Sequence, residues 1–199
     1  MAVLKKLSTP LKIQDFLDAM PLNWEKNGDT YMSPRRVLRE NKAHCLEGAL
    51  LAALAIWLKG GKPLLLDLKT VDGDDHVVAL FKQGGCWGAI SKTNHVTLRY
   101  RNPVYQTVRE LAMSYFHEYY SGKSCRRTLR SYSRPFDLRT LGEDWITSEE
   151  ELDEIAESLD ESRHYNLFPQ KNIKLLRFPD KMELLADKLT EWKKEDPRT

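Results

Sequence analysis

The chain has 199 residues, enough for one domain of typical size or one domain with an appendage. Its 31 Lys and Arg residues against 29 Asp and Glu residues give a formal net charge of +2, which argues against binding nucleic acid mainly through phosphates. The composition, 41% hydrophobic and 30% charged, excludes a wholly disordered chain. The longest apolar stretch, residues 49–58, is about half of the roughly 20 residues that a bilayer span requires, so we expect no membrane segment.

The cysteine count indicates the redox environment. Cys45, Cys86 and Cys125 are odd in number and contain no Cys-x-x-Cys pair, which predicts reduced thiols rather than a disulfide framework. The first twelve residues lack the apolar core of a signal peptide, so we expect a cytoplasmic protein. The histidines and cysteines show no zinc spacing, and the acidic turn at residues 72–75 lacks the glutamate of a calcium loop. We therefore expect neither a metal nor a cofactor.

Helix signals dominate the first third of the chain. Thr9-Pro10 and Ser33-Pro34 each combine a capping residue with a proline at the first helical position. Asn41 is predicted to cap the next helix, whose residues from Cys45 onward are apolar on nearly every face. Such a helix is typical of the centre of a core, and two glycines at residues 60–61 are predicted to end it.

Strand signals follow, at residues 64–69, 77–81, 87–90 and 96–100. Asn102-Pro103 is predicted to open another helix, and the polar, basic residues 121–139 are predicted to be loop. A capping box of Thr147 or Ser148 with Glu150 or Glu151 predicts a helix that continues to residue 159, and a last helix is predicted at residues 182–189. The pattern predicts an α+β fold, with a buried central helix on an antiparallel sheet. We assign residues 1–120 to this core and residues 121–199 to a helical C-terminal extension packed on the same domain.

The most informative residue is Cys45, at the start of the most buried helix. A thiolate is the reactive form of cysteine, and the positive end of a helix lowers the pKa of a thiol. His76 opens a strand downstream and is the candidate general base, because cysteine on a helix and histidine on a following strand is an order used by Cys–His enzymes. The alternatives are a small cysteine that packs the core and a histidine at a strand edge.

The turn at Gly84-Gly85 determines which side chain can orient His76. If these two glycines form the whole loop, Gln83 pairs with Cys86, His76 faces Thr93, and Ser91 lies diagonally from His76 on the same face. If the loop takes three residues, His76 instead faces Asn94 and Ser91 turns to the other face, because one register step exchanges the two faces of a strand.

Three short blocks resemble the transglutaminase-like superfamily: His-Cys-Leu-Glu-Gly-Ala-Leu at residues 44–50, Asp-His-Val-Val-Ala at 75–79 and Trp-Gly-Ala-Ile-Ser at 87–91. The resemblance covers residues 13–105. It implies a papain-like α+β core, with Cys45 as nucleophile and His76 as base. The third position of the family's Cys–His–Asp triad is Ser91 here, which cannot stabilise an imidazolium by charge. Asn94 is the alternative orienting residue.

Further candidates surround these residues. The backbone N–H of Cys45 is an oxyanion donor, and Trp24, Asn23 and Asn41 are guesses for the second donor. Trp87 walls the cleft or, as a strand aromatic, belongs to the core. Five arginines could bind phosphate, an acidic partner or nucleic acid, or could pair with the acidic residues 149–161. These arginines are Arg126, Arg127, Arg130, Arg134 and Arg139.

The leading functional hypothesis is an acyl-transfer enzyme, an amide or ester hydrolase or a transferase, in which Cys45 and His76 act on a peptide, protein or small amide. The competing hypothesis is a catalytically weak or inactive module that binds a peptide or protein partner in the same cleft. A third is an interaction protein that works through the arginine-rich segment. We expect no membrane partner and no nucleic acid; the acyl acceptor and the oligomeric state do not follow from the sequence.

Overall fold

The computed structural model describes residues 3–26, 28–121, 124 and 126–193, so Cys125 and the charged tail from residue 194 lie outside the described residues. Helices α1 (Pro10–Asp18) and α2 (Pro34–Glu40) begin where predicted. The Thr9 hydroxyl accepts the Lys12 amide, and the Ser33 hydroxyl accepts the Arg36 amide. Each cap thus supplies a partner to an amide that the helix itself leaves without one.

The central helix α3 (Cys45–Trp57) begins later than predicted. Asn41 does not cap it, but ends α2 in the left-handed conformation at φ 52°, a conformation that asparagine tolerates better than most residues. His44 is the N-cap instead, and Cys45 is therefore the first helical residue.

The sheet confirms the α+β prediction, and its strand pairs are antiparallel. The strands are β1 (Leu64–Thr70), β2 (His76–Gln83), β3 (Cys86–Ile90), β4 (Arg101–Tyr105), β5 (Tyr120–Ser121), β6 (Arg126–Arg127), β7 (Leu129–Ser133), β8 (Phe136–Asp137) and β9 (His164–Asn166). The order in the main sheet is β4-β3-β2-β1-β7-β9, with β8 also paired to β1, while β5 and β6 form a separate pair.

The remaining helices are α4 (Val108–Tyr115), α5 (Asp153–Glu161) and α6 (Lys181–Ala186). Among the described residues, no helix is both long enough and apolar enough to cross a bilayer.

Two predictions between residues 96 and 108 are wrong. Residues 96–100 are not a strand, and Asn102-Pro103 lies inside β4 rather than at a helix start. Proline lacks an N–H, but β4 is at the edge of the sheet, where a strand has hydrogen-bonding groups that no neighbour uses. Helix α4 starts five residues later, where Thr107 and Glu110 form a capping box.

The predictions for residues 121–151 also need correction. Residues 121–139 are not a loop, because β7 pairs with β1 inside the main sheet. No capping box forms at residues 147–151: α5 follows Leu152, which has no side-chain cap, and Glu151 instead binds the Tyr31 amide and Arg36. Residues 121–193 therefore contribute strands as well as helices to the fold.

Both faces of the sheet are covered. One core contains α3 with α1 and α2 against residues such as Leu65 and Ala79, and the other contains α4 against residues such as Leu66 and Val78. Burial on both faces explains why β1 and β2 are almost continuously apolar instead of alternating. The first residues of α3 and of β2 lie close together at one end of the sheet.

Candidate active site

Cys45 lies at the N-terminus of α3 and lines a cleft of about 340 Å³. The cleft is also lined by His76, Ser91's neighbour Lys92, and Asn94. Cys45 is half-buried and its thiol is free. As the first residue of the helix, its backbone N–H has no partner within the helix. The sequence-predicted nucleophile therefore has both an opening to solvent and a free backbone donor beside it.

The two-residue hairpin brings Ser91 to His76. Gln83 pairs with Cys86 and Ala79 with Ile90, so the two-glycine alternative is correct, and Gly84 and Gly85 adopt φ values of 58° and 82°. His76 Nε2 lies 2.8 Å from Ser91 Oγ, and the Ser91 hydroxyl donates its proton to the Leu98 carbonyl at 2.6 Å. Because that hydroxyl has one proton, it must accept from His76 Nε2–H. The neutral imidazole then has its lone pair on Nδ1.

Leu98 holds this arrangement at the cost of backbone strain. Its φ of 60° is unusual for a bulky residue, and its N–H donates to Glu118 Oε2 at 3.0 Å. The same carboxylate oxygen forms an ion pair with Arg101. Leu98 is thus fixed through its carbonyl on one side and its amide on the other, which aims the carbonyl at Ser91.

Two imidazoles stabilise the Cys45 thiolate. Burial opposes ionisation, but hydrogen bonds from His44 and His76 and their positive charge outweigh it and lower the pKa of Cys45 well below its usual range. Burial likewise opposes a charged His44, yet Cys45, 3.9 Å from His44 Nδ1, and then Glu47 and Glu25 raise the pKa of His44 to about 10. The Leu46 amide also approaches His44 Nδ1, at 3.3 Å. It can donate to that nitrogen only when His44 is neutral, so the cap bond and a protonated His44 are alternatives.

Glu47 binds several residues that lie next to Cys45. Its carboxylate is fully buried and accepts hydrogen bonds from the side chains of Asn23 and Thr30 and from the amides of Met32 and His44. His44 Nε2 in turn contacts the Thr30 carbonyl at 2.6 Å. The loop before α2 is therefore tied to the first turn of α3.

The other predicted site residues do not contact His76. The Asn94 side chain lines the cleft, but its amide is bonded to the Trp192 backbone at 3.0 and 2.7 Å, so Ser91 and not Asn94 binds His76. Asn41 is exposed at the end of α2, and Trp87 pairs with Tyr105 and packs on the far core, so neither lines the cleft.

The two further guesses for an oxyanion donor have different outcomes. The Asn23 amide is used by Glu47 and Thr30, which removes it as a donor to substrate. Trp24 lines a neighbouring cavity of about 200 Å³ that shares Leu22 with the cleft. Its indole N–H is buried and has no hydrogen-bond partner among the described residues.

Of the alternatives for the arginine-rich segment, pairing with residues 149–161 does not occur. Glu149 pairs with Arg39, Glu151 with Arg36, and Asp160 with Lys69. In the segment itself, Arg127 pairs with Glu183 and Arg139 with Asp137. The acidic residues thus form ion pairs with α2 and β1, and the paired arginines of the basic segment bind other carboxylates.

Several contributors to the site were missed from sequence: His44, Lys92, Leu98 and Glu118. The spacing of His44 and Glu47 is that of a capping box and could have indicated the true helix start, but histidine is an uncommon cap. Lys92 is 1% exposed and donates to the Leu17 and Met20 carbonyls. Burial lowers its pKa to about 8, although Glu191 and Asp18 oppose the shift.

One carboxylate cluster is close enough to hold a cation. Oxygens of Asp67, Asp75 and Asp160 lie within 4.8 Å of one another. Each residue already has a donor: Asp67 contacts His164, Asp75 accepts from Thr70, and Asp160 pairs with Lys69. These contacts account for the cluster without a metal.

No protein-family model and no curated protein matches this chain, so its function is argued from the geometry of the site.

Proposed function

We propose that this protein is a cysteine-dependent acyl-transfer enzyme, a hydrolase or transferase, in which Cys45 is the nucleophile and His76 the general acid and base. The observation that carries the proposal is that Cys45 and His76 line the same open cleft within hydrogen-bonding distance of each other, and the lowered pKa of the Cys45 thiol supports it. A thiolate in a partly open site is the reactive form, whereas a packing cysteine is inert.

In the proposed reaction, the Cys45 thiolate attacks the carbonyl carbon of an amide or ester and forms a carbon–sulfur bond. The backbone N–H of Cys45 donates to the developing oxyanion. The His76 imidazolium gives its proton to the leaving amine or alcohol. Water or an amine, deprotonated by His76, then attacks the thioester and releases Cys45 as a thiolate.

The neutral third residue is compatible with this reaction. Ser91 selects the His76 tautomer with an unprotonated Nδ1 but adds no charge. More of the stabilisation of the thiolate therefore comes from His44 and from the N-terminus of α3. The resemblance to the transglutaminase-like superfamily gives the same roles to Cys45 and His76. A papain-like core remains part of this proposal.

The charge of the cleft favours a cationic acyl acceptor. Four carboxylates line it, those of Asp74, Asp75, Glu118 and Asp187, of which Glu118 is paired with Arg101, while the Lys92 ammonium is occupied by two carbonyls. A surface of one sign attracts substrates of the opposite sign. We therefore expect a protonated diamine to accept the acyl group better than an acidic amine of similar size.

The test is the pH dependence of Cys45 alkylation by iodoacetamide, followed by acylation with a small activated ester. Cys86 is the internal control, since it is also a half-buried free thiol. We expect Cys45 to react well below the pH at which Cys86 does, and His76→Ala to abolish turnover of the ester.

The competing proposal is a binding module with the same cleft. It is favoured by the partner of His76 Nε2, which is the neutral hydroxyl of Ser91 where the resemblance would place a carboxylate. Equal and slow alkylation of Cys45 and Cys86, together with no acylation of Cys45, would overturn the enzyme and leave this alternative.

A further inference from the structure

A second cavity, of about 600 Å³, shares no lining residue with the cleft. Ten of the described residues line it, of which six are cationic and none is a carboxylate. The six are Arg126, Arg127, Arg130, Lys171, Lys174 and Arg177. The whole chain has a net charge of only +2, so this concentration is local and does not reflect a generally basic protein.

Two segments build this basic groove. The strand β6 and the start of β7 supply the first three arginines, and a 3₁₀ helix at Gln170–Leu175 supplies Lys171 and Lys174. A 3₁₀ helix has three residues per turn, so side chains three apart lie above one another. The two lysines therefore face the groove as a pair.

Most of this charge is not neutralised within the protein. Arg127 pairs with Glu183 at 2.5 Å, and Arg177 makes an exposed contact with Asp180 at 3.4 Å. Across the part of the chain that the structure describes, Arg126, Lys171 and Lys174 form no ion pair. Like charges in one concavity repel each other, so the groove is stabilised when an anion enters it.

Arg130 adds a buried donor. Its Nη1 donates to the Arg127 and Leu129 carbonyls, which holds the guanidinium in place. Its Nε–H is buried and has no hydrogen-bond partner among the described residues. The charge of Arg130 is therefore held in the wall of the groove by its two carbonyl contacts.

We propose that this groove binds a phosphorylated ligand with more than one phosphate group. Its arginine forks and lysine charges match phosphate oxygens, and its volume exceeds what a single phosphate fills. Phe178 is 57% exposed at the groove, with the Arg126 guanidinium 5.8 Å from its ring centroid. The exposed part of the Phe178 ring suits a stacked base, so the ligand chemistry is that of a nucleoside polyphosphate, free or as part of an RNA strand.

The experiment titrates the full-length protein by calorimetry with four probes: ATP, inorganic triphosphate, adenosine and a short single-stranded RNA. We expect ATP and triphosphate to bind, adenosine not to bind, and the affinity to fall as salt is raised. ATP should also raise the melting temperature, because it binds only the folded groove. Tighter binding of the RNA per phosphate would identify the strand as the source of the ligand.

The variant pair Arg126→Ala/Lys174→Ala tests the location. Two charge-assisted contacts are lost, so triphosphate affinity should fall about a hundredfold, whereas the charge-matched control Lys5→Ala/Arg35→Ala should change it less than about threefold. Phe178→Leu should weaken ATP but not triphosphate. Equal loss in both double variants, or equal binding of a polyglutamate peptide, overturns the phosphate site, as does the absence of binding by ATP, triphosphate and RNA. These readouts do not depend on Cys45 chemistry.

Discussion

Replacing Ser91 by alanine tests whether a neutral hydroxyl orients the base. Ser91 is 1% exposed, accepts from His76 Nε2 at 2.8 Å and donates to the Leu98 carbonyl at 2.6 Å. Its removal leaves one donor and one acceptor without partners, each at a cost of about 1–3 kcal/mol. The loss reaches the thiolate only through the His76 ring, and a cost of about 1.4 kcal/mol to the thiolate–imidazolium pair moves the midpoint of Cys45 ionisation up by about one pH unit.

The assay is the pH dependence of the Cys45 alkylation rate, followed below about pH 7, where an ordinary thiol is almost fully protonated, to the pH at which the rate falls by half. We expect that midpoint to lie about one pH unit higher in Ser91→Ala than in the parent protein, and Ser91→Thr, which keeps the hydroxyl, to recover most of the difference. Asn94→Ala is the matched control, because the Asn94 amide binds the Trp192 backbone and not His76. An unchanged pH profile in Ser91→Ala, or an equal loss in Asn94→Ala, would refute the orienting role of Ser91.

Three further predictions concern the first turn of α3. Gly48→Ala should destabilise the protein by about 1–3 kcal/mol in urea denaturation, because a Cβ at Gly48 would overlap Lys92 Cβ. Alanine favours helices over glycine, so a more stable variant would contradict this packing. Glu47→Gln should cost about 2–3 kcal/mol, since an amide donor would face the donors that now meet a buried carboxylate, and Glu150→Gln on the surface should cost almost nothing. Cys45→Ala should lower the pKa of His44 from about 10, because Cys45 supplies the largest effects that raise it and burial then dominates. A histidine NMR titration measures this shift, and an unchanged pKa would show that the carboxylates alone hold the proton.

The Cys45–His44 pair should make the free energy of unfolding no more pH-dependent between pH 6.5 and 9.0, which are the ordinary pKa values of the histidine and the cysteine in the unfolded chain. The lowered pKa of Cys45 makes stability rise with pH in this window, and the raised pKa of His44 makes it fall. In both states the pair holds one proton, on the imidazole when folded and on the thiol when unfolded. The difference in stability between the parent and a Cys45→Ala/His44→Ala variant, measured across this range, should therefore be flat.

The sequence predicted the central helix and reduced the β2–β3 register to two alternatives because the physical signals are local. Gly84-Gly85 provides the two positive φ values of a tight hairpin, and the register then follows from counting residues. The pairing of Ser91 with His76 is a direct consequence of that count. The thiol at a helix start was likewise visible in the apolar run that begins at Cys45.

The errors share a cause, which is that tertiary position overrode local preference. Pro103 is a helix-start signal in isolation and a tolerated residue in an edge strand once β4 is placed beside β3. The arginines and serines around β7 suggest a solvated loop, yet Leu129 is buried against the second core and its strand pairs with β1. The roles of His44 and Glu118 depend on contacts with residues distant in sequence, such as Thr30 and Arg101, which no short pattern reveals.

The buried Glu47 carboxylate links the surroundings of the Cys45 thiol to the local stability of one loop. It ties the stretch that precedes α2 to the residue beside the sulfur, so a partial opening of that stretch would change the surroundings of the thiol while both apolar cores are still intact. The accessibility of one cysteine would then report early, reversible local unfolding that global spectroscopic signals do not register.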